Sequence, residues 1–272
     1  MHRDTTAKFN ERIWDFYAKH GRHDLPWRLP EQDGRFDQYK ILVSELMLQQ
    51  TQVARVIPKF QAFLQRFPTP ESLAGASLAE VLTLWSGLGY NRRAKFLWQA
   101  AQMIEADFQG TFPTSVEELT KLPGVGKNTA GAIAAYAFNQ PALFIETNVR
   151  TVYIHHFFAD QTDIVDGDIH SMLEATLDHE NPREFYWAIM DYGTHLKQTV
   201  GNLGRHSKHY TKQSKFEGSR RQVRGQVLRE LAADGKTDTE LAAAIPDERL
   251  SEVLRALRGE QLIRRVGEKW TL

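Results

Sequence analysis

Leu122-Pro-Gly-Val-Gly-Lys-Asn-Thr-Ala-Gly-Ala-Ile133 reads as the end of one helix, a glycine-hinged hairpin and a second helix starting near Asn128. Gly124 and Gly126 are expected to supply positive φ and a close backbone approach. The amides that follow are free at a helix N-terminus and form a ready anion site. Gly124, Val125, Gly126 and Lys127 are therefore candidate phosphate contacts, gripping a nucleic-acid backbone without reading its sequence. A second segment, Glu146-Thr-Asn-Val-Arg-Thr-Val152, places a carboxylate at the start of another helix. Alone, the hairpin is a weak signal, because many DNA-binding proteins carry one.

The composition bounds what surrounds this element. The chain has 272 residues, 42% hydrophobic and 25% charged, which is ordinary for a globular protein of one large domain or two smaller ones. No apolar run approaches the ~18 residues of a membrane span. The charged start, Met1 to Arg12, lacks a signal-peptide core and predicts a cytoplasmic protein. There is no cysteine, which excludes disulfides, cysteine nucleophiles, thiolate zinc and cysteine-ligated iron–sulfur clusters. His195, His206 and His209 fit no zinc spacing, so no metal site is expected. Net charge is zero, but the charge is unevenly spread. Arg205, Lys208, Lys212, Lys215, Arg220, Arg221, Arg224 and Arg229 face one acid, Glu217. The strip reads as phosphate-tracking or as a solvated linker face.

Periodicity predicts an all-α body. Phe9, Ile13, Phe16 and Tyr17 mark a first helix, and Tyr39 to Gln52 a helix containing Glu45. Arg92 to Asp107 and Pro182 to His195 read as long helices. Residues 1–200 form the expected body and 201–218 a basic linker. From 219 to 272 the order is helix, helix, helix, then two short strands about Gly267-Glu268, which predicts a small winged-helix domain. Its third helix, with Arg249, Arg255 and Arg258, is a candidate for the major groove. A protein-interaction role is the alternative.

Four further segments carry a family resemblance: Leu25-Pro-Trp-Arg28, Ser44-Glu-Leu-Met-Leu-Gln-Gln-Thr-Gln-Val53, Trp85-Ser-Gly-Leu-Gly-Tyr90 and Asn148-Val-Arg150. With the hairpin, they resemble the helix-hairpin-helix DNA glycosylases over roughly residues 8–197, above all the adenine-specific mismatch enzymes. The Ser-Glu-x-Met-Leu-Gln-Gln-Thr string is the most specific part. The resemblance implies a mainly α helix-hairpin-helix glycosylase fold and excision of adenine mispaired with 8-oxoguanine or guanine. Breaking the C1′–N bond needs a proton for the departing base and a carboxylate beside the developing sugar cation.

By resemblance, Glu45 is the general acid. Its bland alternative is a surface carboxylate on an amphipathic helix. Glu146 stands where the family has an aspartate. The extra methylene moves the carboxylate on the order of an ångström, a displacement worth ~10²-fold in rate. Glu146 is thus a working variant, a selector of another substrate geometry, or the mark of a slow enzyme. Asn148 supports that carboxylate and the DNA backbone, or caps a helix. Asn128 stands where lyase-competent relatives carry a Schiff-base lysine, and an amide forms no imine. The resemblance therefore implies a monofunctional hydrolase. Gln49, Gln50 and Tyr90 match residues that wedge into the duplex. Arg28 lines the pocket or closes its own loop. Arg220 and Arg221 join the basic strip.

Two departures follow. The family's four-cysteine cluster after the position of Gly193 has no counterpart, and the basic strip is expected to take over its DNA contacts. The winged-helix pattern stands where the family carries an 8-oxoguanine-sensing domain. No cofactor is expected, beyond a monovalent cation on hairpin carbonyls. The expected partner is double-stranded DNA carrying a mismatched or damaged base, met by a nucleoid-associated monomer. Thymine or uracil excision, a non-catalytic lesion-binding protein, and a transcription factor led by the winged helix remain as alternatives.

Overall fold

The structure, a computed structural model, describes residues 5–210 and 215–272. Lys212 of the basic strip lies outside the described residues. In chain order the elements are α1 (Thr6–His20), α2 (Gln38–Leu48), α3 (Val53–Arg66), α4 (Pro70–Ala74), α5 (Leu78–Trp85), α6 (Arg92–Ala106), α7 (Val116–Leu119), α8 (Lys127–Phe138), α9 (Thr147–Phe157), α10 (Asp166–Thr176), α11 (Pro182–Thr199), α12 (Arg220–Ala233), β1 (Lys236–Thr237), α13 (Asp238–Ala244), α14 (Leu250–Gly259), β2 (Arg264–Val266) and β3 (Lys269–Thr271). The fold is mainly helical, as the periodicity predicts.

The chain divides into two compact units. Of the described residues, one gathers 5–41 with 114–121 and 125–210. Its first helix buries Phe9, Ile13 and Tyr17 on one face, the spacing of an amphipathic helix. Helices α9 and α11 pack closely in its core. They touch at Gly193, where an added Cβ would come within 2.8 Å of the Asn148 Cβ. Only glycine admits that approach. The buried Asp191 on α11 accepts a two-pronged bond from Arg28 (2.8 and 3.0 Å) and further bonds from the Arg22 amide and Nε, both 2.8 Å. This ties the loop after α1 to the core. Burial alone would raise the Asp191 pKa, but the two arginines outweigh it and hold the carboxyl below its usual range.

The other unit gathers residues 42–113, 122–124 and, of the tail, 215–272. Its short helices are fixed by local capping. Thr69 with Ser72 and Ser77 with Glu80 form reciprocal capping boxes at α4 and α5, each satisfying helix-end donors. Helix α4 packs on α6, and α5 on α3, α6 and α12. In the tail, α12 buries Val223, Val227, Leu228 and Leu231 on one face. The strands pair antiparallel in the order β1-β3-β2, with Lys236 opposite Trp270 and Arg265 opposite Trp270 on the other side. The first strand, at Lys236–Thr237, adds to the two short strands expected for the tail. Two residues are too few to show period-two alternation. The Trp270 indole donates to Asp238 Oδ1 (2.8 Å) and locks this strand pair to α13.

Two local expectations change. The helix expected over Tyr39–Gln52 stops at Leu48, and Gln50 sits at φ +55°. The carbonyls of Leu46, Met47 and Gln49 bond to a side chain, the guanidinium of Arg93. At the hairpin only Gly124 takes positive φ (+79°), and an added Cβ would meet Phe96 at 2.7 Å. Gly126 is extended (φ −85°) as the N-cap of α8, with open space where a Cβ would stand. Gly124→Ala is therefore expected to destabilise the fold by about 1–3 kcal/mol, read as a fall in melting temperature. Gly126→Ala should melt like the parent and show any effect in DNA affinity alone.

Candidate functional site

In the unit built on residues 42–113, Glu45 stands in the last turns of α2 and is partly exposed between the fully buried Ser44 and Leu46. Beyond it, Gln49 is half-buried and Gln50 exposed, in a turn. A second loop tip carries Tyr90, a non-glycine residue at φ +47° with 37% of its surface exposed. Strained positions of this kind persist where surrounding structure enforces them.

Arg93, in the first turn of α6 and only 6% exposed, does the enforcing. One guanidinium nitrogen donates to the Leu46, Met47 and Gln49 carbonyls at 2.7, 2.9 and 2.5 Å. The other donates to Thr51 Oγ1 (3.1 Å) and to the Leu88 and Gly89 carbonyls, 3.3 and 3.1 Å. One buried cation thus knots the Gln49–Thr51 and Leu88–Tyr90 tips together. Burial pushes its pKa down to about 10, so it stays charged at neutral pH. Sequence reasoning passed over Arg93, because its partners are main-chain carbonyls that no motif displays.

In the unit built on α8–α11, Asn128 is spent on the backbone. Its Nδ2 donates to the Ile145 carbonyl (2.9 Å) and its Oδ1 accepts from the Ile145 amide at 3.4 Å. The amide therefore clamps the residue next to Glu146. Glu146 is the N-cap residue of α9, but its side chain makes no capping bond. Some of its surface is open, yet the protein packed round the carboxyl raises its pKa by burial; Arg150 and Lys197 pull it back. Arg150 is itself forked onto Asp166 at 2.7 and 2.6 Å. Asn148 is inside α9 rather than at its cap. It accepts a 2.6 Å bond from Lys197 Nζ and turns its amide toward Met190 Sδ at 3.6 Å. Burial lowers the Lys197 pKa against the pull of Glu146. Lys197, on the last turns of α11, was not singled out from the sequence. A lone lysine late in a helix carries no local signal.

The remaining candidates are dispersed. Arg28 is buried on Asp191, the loop-closing geometry. Val125 is buried, and Gly126 and Lys127 are exposed at the start of α8. Arg220 pairs with Glu252 at 2.9 Å on the surface. Arg221 donates to the Tyr90 hydroxyl at 2.6 Å. Within the strip, Arg205 and Lys208 are exposed, whereas Arg224 is forked onto Glu260 at 3.1 and 2.5 Å. Leu203–His206 form a 3-10 turn, and Ile164 is bonded by the His206 carbonyl (3.1 Å) and the Lys208 amide (3.0 Å).

Residues 43–175 match the family described as HhH-GPD superfamily base excision DNA repair protein. The chain is 37% identical to the adenine DNA glycosylase of Buchnera aphidicola subsp. Baizongia pistaciae over 193 residues, 70% of this chain and 53% of the relative. It is 41% identical to that of Mycobacterium tuberculosis over 180 residues, 65% of this chain and 58% of the relative. With the mouse protein of the same name it shares 36% over 247 residues, 88% of this chain and 46% of the relative. Over residues 43–175 the chain falls in the helix-hairpin-helix base excision DNA repair superfamily. It spans about half the length of the curated relatives it matches.

Solved structures agree on the fold. A thermostable thymine-DNA glycosylase superposes with a TM-score of 0.60 at 24% identity, covering 70% of this chain and 88% of the other. Endonuclease III trapped on DNA gives 0.57 at 19%, covering 71% and 87%. Having no cysteine, the chain holds no cysteine-ligated iron–sulfur cluster. Among the described residues no helix is long and apolar enough to cross a membrane.

Proposed function

We propose that this protein is a base-excision DNA glycosylase that hydrolyses the N-glycosidic bond of an adenine mispaired with 8-oxoguanine or guanine, without lyase activity. The observation that carries the reading is the unbroken string Ser44 to Thr51, with Glu45 in it, in a chain whose relatives are named adenine DNA glycosylase. Glu45 donates a proton to the departing base, and the bonding electrons leave with that base. The Glu146 carboxylate stabilises the cation left on the sugar. Water adds at C1′ and gives up a proton, leaving an abasic site and free adenine. Asn128 offers no amine for an imine, and its bonds to Ile145 give it a holding role instead. Gln49, Gln50 and Tyr90 fill the gap in the duplex, and Gly124 to Lys127 hold a backbone phosphate. A monovalent cation on hairpin carbonyls fits this reading, and no chemical step depends on it. Residues 1–200 act as the glycosylase body and 219–272 as a winged-helix domain that presents α14 to DNA. The exposed Arg255 and Arg258 suit that contact. The partner is double-stranded DNA.

Single-turnover cleavage of labelled duplexes tests this, with A, T, U and hypoxanthine opposite G or 8-oxoguanine. Release of adenine, with Glu146→Asp changing the rate by roughly 10²-fold in either direction, is the expected result. Release of thymine or uracil instead would move the substrate. Binding without any release would replace the enzyme with a lesion-binding protein.

The acid side of the pH–rate profile gives a second check. Glu146 must be ionised to stabilise a cation, and Lys197 is one of the two charges that hold its raised pKa down. Lys197→Met removes that charge, so the Glu146 pKa rises further and the acidic limb moves to higher pH. A limb that stays put would remove Lys197 from this role.

A further inference from the structure

Two cations act on the Glu146 carboxyl, Arg150 of its own helix and Lys197 of α11, and each is held by another partner. Arg150 lies one turn along α9, its amide bonded to the Glu146 carbonyl at 2.9 Å. A glutamate four residues ahead of an arginine on a helix pairs with it readily, and this order of the two favours the pair. Among the described residues, however, the ion pair of Arg150 is with Asp166, through Nε to Oδ1 at 2.7 Å and Nη2 to Oδ2 at 2.6 Å. Lys197 donates instead to Asn148 Oδ1 at 2.6 Å.

Asp166 is well placed to keep its arginine. It opens α10, where the free amides of a helix start favour an anion. The backbone just before it is pinned, since the Ile164 amide donates to the His206 carbonyl and the Ile164 carbonyl accepts from the Lys208 amide. The Arg150 side chain is 20% exposed and that of Asp166 33%, so salt screens the fork less than an open surface pair. The Arg150 bonds, aided by the charge of His209, hold the Asp166 carboxyl below its usual range. A carboxylate closed onto a guanidinium is turned toward that partner, and its charge is matched there. It then has little left for a cation that develops on a substrate.

We propose that Asp166 is a positioning residue: it draws Arg150 off Glu146 and so leaves the Glu146 carboxylate open to the cation that forms on the sugar. The inference rests on the proposed function for the role of Glu146, whereas the diversion of Arg150 is a property of the chain without DNA.

The test pairs single-turnover adenine release across pH with titration of the Glu146 carboxyl by carbon NMR, on the full chain without DNA. In Asp166→Asn, Arg150 is free to close on Glu146, and a neighbouring negative charge is gone. Both changes favour the ionised glutamate. The Glu146 titration and the acidic limb of the rate profile should therefore move to lower pH, while the plateau rate falls about tenfold to 10²-fold. A merely structural loss would slow the reaction without moving the titration down. Asp166→Glu keeps a carboxylate and should stay near the parent in both readouts. Arg150→Gln added to Asp166→Asn removes the cation that closes, and should recover most of the lost rate. Asp166→Ser repeats the loss of charge if the amide variant does not fold. A Glu146 titration that stays or moves up, or a double variant no faster than Asp166→Asn, would overturn the proposal. If the titration moves as expected but the wild type releases no base, the diversion stands and the enzyme reading falls. If adenine is released and the titration does not move, the reverse holds.

Discussion

Glu45→Gln is expected to slow adenine release about 10²–10⁴-fold while leaving duplex affinity close to the parent's. Glutamine matches glutamate in size and keeps its hydrogen-bonding reach, but it has no acidic proton to give. The position is partly exposed, flanked on α2 by the fully buried Ser44 and Leu46. The exchange therefore leaves the helix packing alone, and an unchanged melting temperature is the control. The loss should fall on the chemical step under single-turnover conditions. Substrates whose base leaves without protonation should be spared. A variant that releases adenine at the parental rate would remove Glu45 from the acid role and leave it a surface carboxylate.

Arg93→Ala is expected to cost about 3–5 kcal/mol of stability, lowering the melting temperature by roughly 10 °C. Five main-chain carbonyls and one hydroxyl accept from this guanidinium. Removing it leaves buried acceptors without their donors, at the two tips that carry Gln50 and Tyr90 in left-handed conformations. Those tips should then relax, and duplex affinity should fall with the stability. Arg93→Lys keeps a charge but not the planar fork, so it should recover only part of both. Thermal unfolding alongside a binding titration checks the pair. A small stability loss with unchanged affinity would mean that the tips hold their shape without the knot.

The helices were largely legible because their signals are local. Apolar faces such as Phe9, Ile13 and Tyr17, and breaks at glycine and proline, set their number and order. Ends were less legible. The expected continuation of α2 through Gln52 failed because Arg93, far along the chain, takes the carbonyls at its end. Gly124 needed its left-handed turn and its closeness to Phe96; Gly126 has the same residue type, two positions on, but an extended backbone and open space. Composition cannot separate those two glycines, since the difference lies in what packs against each.

Within the candidate site, the sequence by itself determined which chemistry is available. It set two carboxylates at motif positions, an amide where an amine would serve a lyase, and the absence of thiols. Only the tertiary structure decided how those groups are held. Asn128 grips Ile145, Lys197 reaches Asn148 from the far end of α11, Arg28 closes onto Asp191, and Arg221 meets Tyr90 across 131 positions. Each is a pairing between a side chain and a partner distant in sequence, often a main-chain atom. Residue types and spacings record what a side chain offers; the partner it finds depends on which helices the buried core brings face to face.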